Sequence, residues 1–188
     1  HIQTINSDAS LSRIEMAVTV RPKTGTLEHH GAAITSESGG VSSLVPYNLS
    51  ISGAASTEHA LITRQYFMDV IEGVNPDKVV IAHSTNDQNG NVTPSQYAAN
   101  LDTIANRVLA ATGFEPVFVT GIVNSNEATA TYNMSEYAAA MEEVANARGA
   151  KIVNLYEVFS PTGVYDASIY QDGIHYTTEE SSKIARLV

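Results

Sequence analysis

Four short segments of this chain carry side chains that together could run an acyl transfer. They are Ser7-Asp8-Ala9-Ser10-Leu11-Ser12-Arg13, Asn48-Leu49-Ser50-Ile51-Ser52-Gly53-Ala54, Ser84-Thr85-Asn86-Asp87 and Asp172-Gly173-Ile174-His175. A hydroxyl that attacks a carbonyl needs a base to take its proton, the base needs an acceptor to orient it, and the oxyanion that forms needs fixed donors. The first segment offers hydroxyls at Ser7, Ser10 and Ser12. Asp172 and His175 stand three apart, so a tight turn can set the carboxylate on imidazole Nδ1–H while Nε2 faces a hydroxyl. Asn86 brings an NH₂ donor that cannot ionise, and Gly53 brings a backbone N–H that a ligand can approach with no Cβ in the way. The chain has no Cys, which excludes disulfides, thiolate zinc sites and cysteine nucleophiles together.

Five apolar runs rich in Val and Ile, at residues 2–6, 44–51, 78–83, 116–123 and 151–156, read as strands, and the first three lead into or overlap three of these segments. Helical spacing follows at 59–71, 94–111, Met134–Arg148 and from Thr177 to the end. In the second helix Tyr97, Leu101, Ile104, Val108 and Leu109 recur every three or four residues. Thr93-Pro94 marks its start, and Gly113 and Gly149 mark helix ends. Alternating short buried strands and helices predict an α/β fold: a three-layer α/β/α sandwich on a central five-stranded parallel sheet, flavodoxin-like, in one domain over residues 1–188. In such sheets ligands bind beyond the C-terminal ends of the strands, which is where the candidate residues stand. Residues 23–43 form a long connection rich in Gly, Ser, Thr and Glu.

With 188 residues, 43% of them hydrophobic and 16% charged, the chain can bury a core and falls outside the disordered class. Its net charge of −10 opposes nucleic acid and anionic membrane as partners. No apolar run approaches the roughly 18 residues that span a bilayer, so membrane insertion is not expected. The chain starts at His1, and the compartment and oligomeric state stay open. His29-His30, His59 and His83 invite a metal reading, but their spacing fits no zinc pattern, and His83 reads as a satisfied histidine at a strand end. Neither a metal nor an organic cofactor is expected.

In order and type these residues resemble the SGNH, or GDSL-type, hydrolases, whose sequence blocks contribute Ser, Gly, Asn and His, and the resemblance runs over nearly the whole chain. Asn-x-Ser-Ile-Ser-Gly at 48–53 is similar to the second block, Asn86-Asp87 to the third, and Asp172-Gly-Ile-His175 to the fifth. The resemblance implies a serine esterase in which Ser10 attacks, His175 is base and then acid, and Asp172 orients it. Oxyanion donors would come from Ser10 N–H, Gly53 N–H and the Asn86 side chain. Two blocks depart from the family pattern. Family members usually read Gly-Asp-Ser-Leu/Ile-Ser/Thr in the first; aligned on Ser10-Leu11-Ser12 the preceding pair becomes Asp8-Ala9, whereas aligned on Ser7-Asp8 the nucleophile position is Ala9. We take Ser10, which leaves a working hydroxyl. In the third block Ser84 or Thr85 stands where glycine is common.

Each of these residues also has a plain structural reading: a helix N-cap for Ser10, a turn glycine for Gly53, an Asx turn at Asn86-Asp87, a solvated turn for His175. The family's carbohydrate-active branch points to O-acetyl groups on a glycan, so the expected partner is an acylated small molecule or polysaccharide. The long loop (Thr24, Thr26, Glu28, His29, His30, Thr35, Ser36, Glu37, Ser38) and the approach to Asp172 (Tyr165, Asp166, Ser168, Tyr170, Gln171) would wall the site with groups suited to sugars. A lipase or thioesterase is the alternative within the same chemistry, and a non-catalytic glycan-binding module follows if Ala9 holds the nucleophile position.

Overall fold

A computed structural model describes residues 48–62 and 64–188, without the side chains of 64–67. The strand expected at 2–6, the nucleophile register at Ala9 and Ser10, and the long loop with His29 and His30 lie outside the described residues. Ser50–Val188 form one compact unit. Its elements run α1 (Ser56–Leu61), α2 (Arg64–Val74), β1 (Val80–Ile81), α3 (Thr85–Asn89), α4 (Pro94–Thr112), β2 (Val117–Val119), α5 (Met134–Arg148), β3 (Ile152–Val153), α6 (Leu155–Phe159) and α7 (Thr178–Leu187). Single 3-10 turns lie at Glu127–Thr129 and Ala167–Ile169.

The sheet is parallel in the order β1-β2-β3, with Val80 opposite Val117, Phe118 opposite both Ile81 and Ile152, and Val119 opposite Val153. The α/β class and parallel sheet are as expected. Three strands occur among the described residues, and of the five expected the one at 2–6 lies outside them. Of the run expected at 44–51, the described part from Asn48 to Ile51 is irregular, because Ile51 already accepts the Ala54 N–H in a turn (3.1 Å). The run expected at 151–156 leaves the sheet after Val153. There Asn154 accepts the Glu157 N–H (3.1 Å) and starts α6, a cap that outcompetes strand pairing. The helix expected at 59–71 is two helices, α1 closing at Ile62, whose ψ of 131° is non-helical.

Helix ends follow local chemistry. Thr93 accepts the Gln96 N–H at the start of α4, Pro94 fills the first position, and Gly113 closes it at φ +79°. At α5 Glu136 reaches back to the Asn133 N–H (2.7 Å), and Gly149 ends the helix at φ +65°.

Alternation along β2 divides the core. Val119 faces a cluster with Ile122, Leu155, Ile169 and Tyr170, closed by Ile184 and Val188 at the C-terminus. Phe118, also fully buried, points to the other face. There α4 packs against α1, α2 and α5. Tyr97 of α4 and Tyr137 of α5, both fully buried, meet edge to face with centroids 5.2 Å apart. Such large side chains each contribute about 1.5–3 kcal/mol on burial, and a buried hydroxyl needs a partner. Tyr97 donates to the His83 carbonyl (2.7 Å), and Tyr137 to the carbonyls of Val92 (2.6 Å) and Asp87 (3.3 Å). The helical layer thus grips the backbone that runs from β1 through α3.

Candidate active site

At the end of β1 the chain passes His83 and Ser84 into α3, which carries Asn86. The Asn86 carboxamide donates to the Ala54 carbonyl (3.0 Å), tying α3 to the Ile51–Ala54 turn. Gly53 sits in that turn at φ +76°, and a Cβ there would meet nothing within 4 Å. The glycine is therefore required by the left-handed backbone rather than by crowding, which is the turn-glycine role.

Asp87 does not form the Asx turn expected of it. Its carboxylate is fully buried and accepts from the Ser56 N–H (3.0 and 3.2 Å) and the Ser56 hydroxyl (2.5 Å), 31 residues away. Asn100 in turn donates to Ser56 Oγ (2.9 Å) and Thr57 Oγ1 (3.1 Å). Burial pushes the Asp87 carboxyl up, and the two Ser56 bonds oppose it. His83 lies 3.9 Å from this carboxylate and edge-on to His59, with centroids 4.7 Å apart. Desolvation first, then His59, pulls the His83 imidazole down to about 4, so it is neutral at ordinary pH. No group of three or more ligating side chains that could hold a metal occurs among the described residues.

Asp172 and His175 lie on the loop between Tyr170 and Tyr176, which pair as an isolated antiparallel bridge. The loop is closed by Gln171 N–H on the His175 carbonyl and Thr177 N–H on the Ile169 carbonyl (both 2.9 Å). Asp172 Oδ1 accepts the N–H groups of Ile174 (3.0 Å) and His175 (2.8 Å), and Oδ2 meets His175 Nδ1 at 2.6 Å. The His175 backbone bond, its side-chain bond and the Ile174 bond hold the Asp172 carboxyl down at about 2. An ionised Asp172 thus fixes a proton on Nδ1 and leaves Nε2, which has no partner among the described residues, as the basic nitrogen. The imidazole is 72% exposed.

The structure brings Asn86 against the Gly53 turn and pairs Asp172 with His175. A cavity of about 290 Å³ at the C-terminal ends of β1 and β2 is lined by Asn86, Ala54, Ser50, Thr120 and Tyr176 among others; His175 is not among its described lining residues. Tyr170 is corrected: it is buried with its hydroxyl on the Ile122 and Val123 carbonyls (3.1 and 2.9 Å), a core ring between Tyr165 and Tyr176 rather than a wall for sugars. Asp166 accepts from Ser168 N–H and Oγ and is occupied as a cap.

Sequence reasoning missed the hydrogen bonds that tie α3 and the Asp172–His175 loop to the segment after β2. Gln88, Asn124 and Ser125 contribute to them; the polar run Asn124-Ser125-Asn126 straight after an apolar strand was the signal. It also missed Gly121, where a Cβ would collide with Ser84 Oγ and meet Met134 Sδ at 2.8 Å. Ser84 is accommodated by that bare glycine.

Residues 29–179 match the model of the GDSL-like lipase/acylhydrolase family. The chain belongs to that family, and it is a carboxylic ester hydrolase. Solved structures share the fold at low identity. A mutant of Axe2, an acetyl-xylooligosaccharide esterase from Geobacillus stearothermophilus, is 16% identical with a TM-score of 0.61, over 76% of this chain and 69% of that one. A lipase/acylhydrolase from Enterococcus faecalis is 19% identical with a TM-score of 0.57, over 72% and 68%. The α/β hydrolase LAE5, from the metagenome of Lake Arreo in Spain, is 20% identical with a TM-score of 0.59, over 75% and 69%. No curated protein sequence matches the chain.

Proposed function

We propose that the protein removes acetyl groups from a carbohydrate through an acyl-enzyme on Ser10. The observation that carries the mechanism is the Asp172–His175 pair at 2.6 Å, with two backbone N–H groups fixing the carboxylate. His175 Nε2 takes the Ser10 Oγ proton as Oγ bonds to the ester carbonyl carbon. Ser10 N–H, Gly53 N–H and Asn86 Nδ2 stabilise the resulting oxyanion, a contribution of about 3–4 kcal/mol for one such donor. In this step Asn86 exchanges the Ala54 carbonyl for the oxyanion. The tetrahedral species collapses, the sugar oxygen leaves with the proton from His175, and water repeats the sequence to free acetate and Ser10.

Support for this constellation also comes from the fold neighbour Axe2, whose catalytic mutants fall at a serine, an aspartate and a histidine, the last two three positions apart as Asp172 and His175 are. Axe2's substrate, acetylated xylooligosaccharide, favours acetyl over long acyl groups. The test is kcat/KM across p-nitrophenyl esters of about two to ten carbons, together with acetate release from acetylated xylan. Each buried methylene would add about 0.8 kcal/mol where an apolar groove receives it. A maximum at the acetate ester supports the proposal, and a maximum at eight or more carbons makes the protein a lipase or thioesterase instead.

A further inference from the structure

The two halves of the site stand on separate elements. Asn86 rides on α3, while Asp172 and His175 ride on a loop more than eighty residues later, and catalysis requires their spacing to be fixed. A continuous set of hydrogen bonds spans the gap through the segment that follows β2. Gln88, two residues along α3 from Asn86, is buried, and its Oε1 accepts from Asn124 Nδ2 (3.0 Å). The other end of Gln88 donates to Glu127 Oε2 (2.7 Å) and the Tyr132 carbonyl (3.3 Å). Asn124, also buried, accepts the Asn126 N–H on Oδ1 (2.8 Å). Both carboxamides are thereby oriented and neither can flip without losing partners. The next residue, Ser125, donates its N–H to the Gly173 carbonyl (3.0 Å). Gly173 is the residue after Asp172, stands at φ +91°, and would press a Cβ to 2.6 Å from Ser125 Oγ. The catalytic loop is therefore seated directly on the Asn124-Ser125 backbone.

We propose that Asn124 and Gln88 are positioning residues: their buried carboxamide pair sets the distance between the oxyanion donor Asn86 and the Asp172–His175 pair. The inference rests on the esterase reading above. Neither side chain touches substrate; the pair acts through the Ser125–Gly173 contact on one side and α3 on the other. Removing Asn124 Nδ2 leaves Gln88 Oε1 buried and unpaired and frees the Ser125 segment to shift. Displacements of about 1 Å cost about 10²-fold in rate in sites of this kind.

The test uses the full chain carrying Asn124→Ala. Working sites are counted with diethyl p-nitrophenyl phosphate, which releases one p-nitrophenol per nucleophilic serine, and kcat and KM for p-nitrophenyl acetate are expressed per counted site. The expected result is a fall in kcat of about 10²-fold with KM little changed, and no further fall when Asn124→Ala is added to Asn86→Ala, which keeps the labelled serine and its base but has no oxyanion carboxamide left to misplace. A purely structural role would lower the number of sites instead, leaving kcat per site intact and acting equally in both backgrounds; either outcome overturns the proposal. If Asn124→Ala does not fold, Asn124→Asp carries the same expectation. It keeps the shape and the Asn126 bond and sets a carboxylate oxygen against Gln88 Oε1. Full activity of His175→Ala, by contrast, would overturn the triad assignment itself and this inference with it.

Discussion

Replacing Ser56 by Ala removes one atom from one of the most tightly bonded buried groups in the structure. Ser56 Oγ donates to Asp87 at 2.5 Å, while the Ser56 backbone bonds to the same carboxylate persist in the variant. Asn100 Nδ2 loses Ser56 Oγ but keeps Thr57 Oγ1, so it is not orphaned. Two hydrogen bonds are lost, and because Asn100 keeps a partner the cost is set by the one to the buried charge, worth about 1.5–3 kcal/mol. For a chain of this length each kcal/mol moves Tm by about 2–4 °C, which gives a fall of about 3–12 °C at pH 7.

The pH dependence is the sharper part. Burial raises the folded-state pKa of Asp87 above its ordinary value of 3.8. Its ionisation therefore costs folding stability as pH rises through that raised value, and the cost is absent below 3.8. Ser56 Oγ bonds more strongly to the charged carboxylate than to the neutral carboxyl, so the gap between wild type and Ser56→Ala shrinks from pH 7 towards pH 4 as Asp87 takes up its proton. Thermal melts followed by circular dichroism at both pH values measure it. A gap below 1 °C at pH 7, or one that does not shrink in acid, would mean that the Ser56 hydroxyl does not stabilise a charged Asp87.

Three further outcomes are expected. Asp172→Asn removes the acceptor that sets the His175 tautomer and lowers kcat by about 10²- to 10⁴-fold with little change in Tm, read from p-nitrophenyl acetate kinetics and a melt. His83, held at about 4 against an ordinary 6.5, binds fewer protons folded than unfolded, so its contribution is present above 6.5 and is lost as pH falls through about 4; denaturant unfolding of His83→Gln should show on the order of 3 kcal/mol less pH dependence across that window. Gly121→Ala, which drives a Cβ onto Ser84 Oγ, costs about 1–3 kcal/mol, and adding Ser84→Gly recovers part of it in the same unfolding assay.

The features legible in the sequence are the ones fixed locally. Met134–Arg148 is one helix because Asn133, Glu136 and Gly149 mark its ends within a few residues, and Asp172 and His175 pair because three residues and a left-handed glycine suffice to close the loop. Long-range partners were not legible. Nothing in Asp87's neighbours announces Ser56, and Gln88 and Asn124 are 36 residues apart. Tyr170 looked like a wall for sugars because a loop tyrosine is exposed by default; two backbone carbonyls at the end of β2 turn it inward. The helix α3 is not legible because Thr85–Asn89 is five residues with no apolar period; Tyr137 bonds its Asp87 carbonyl and Tyr97 the His83 carbonyl just before it.

A Ser10 nucleophile served by His175 and Asp172 can be read out by labelling with a fluorophosphonate and mapping the adduct by peptide mass spectrometry. The prediction is one adduct per chain, on Ser10, abolished in His175→Ala. Absence of an adduct, appearance of one only after Ala9→Ser, or labelling that persists in His175→Ala would contradict it.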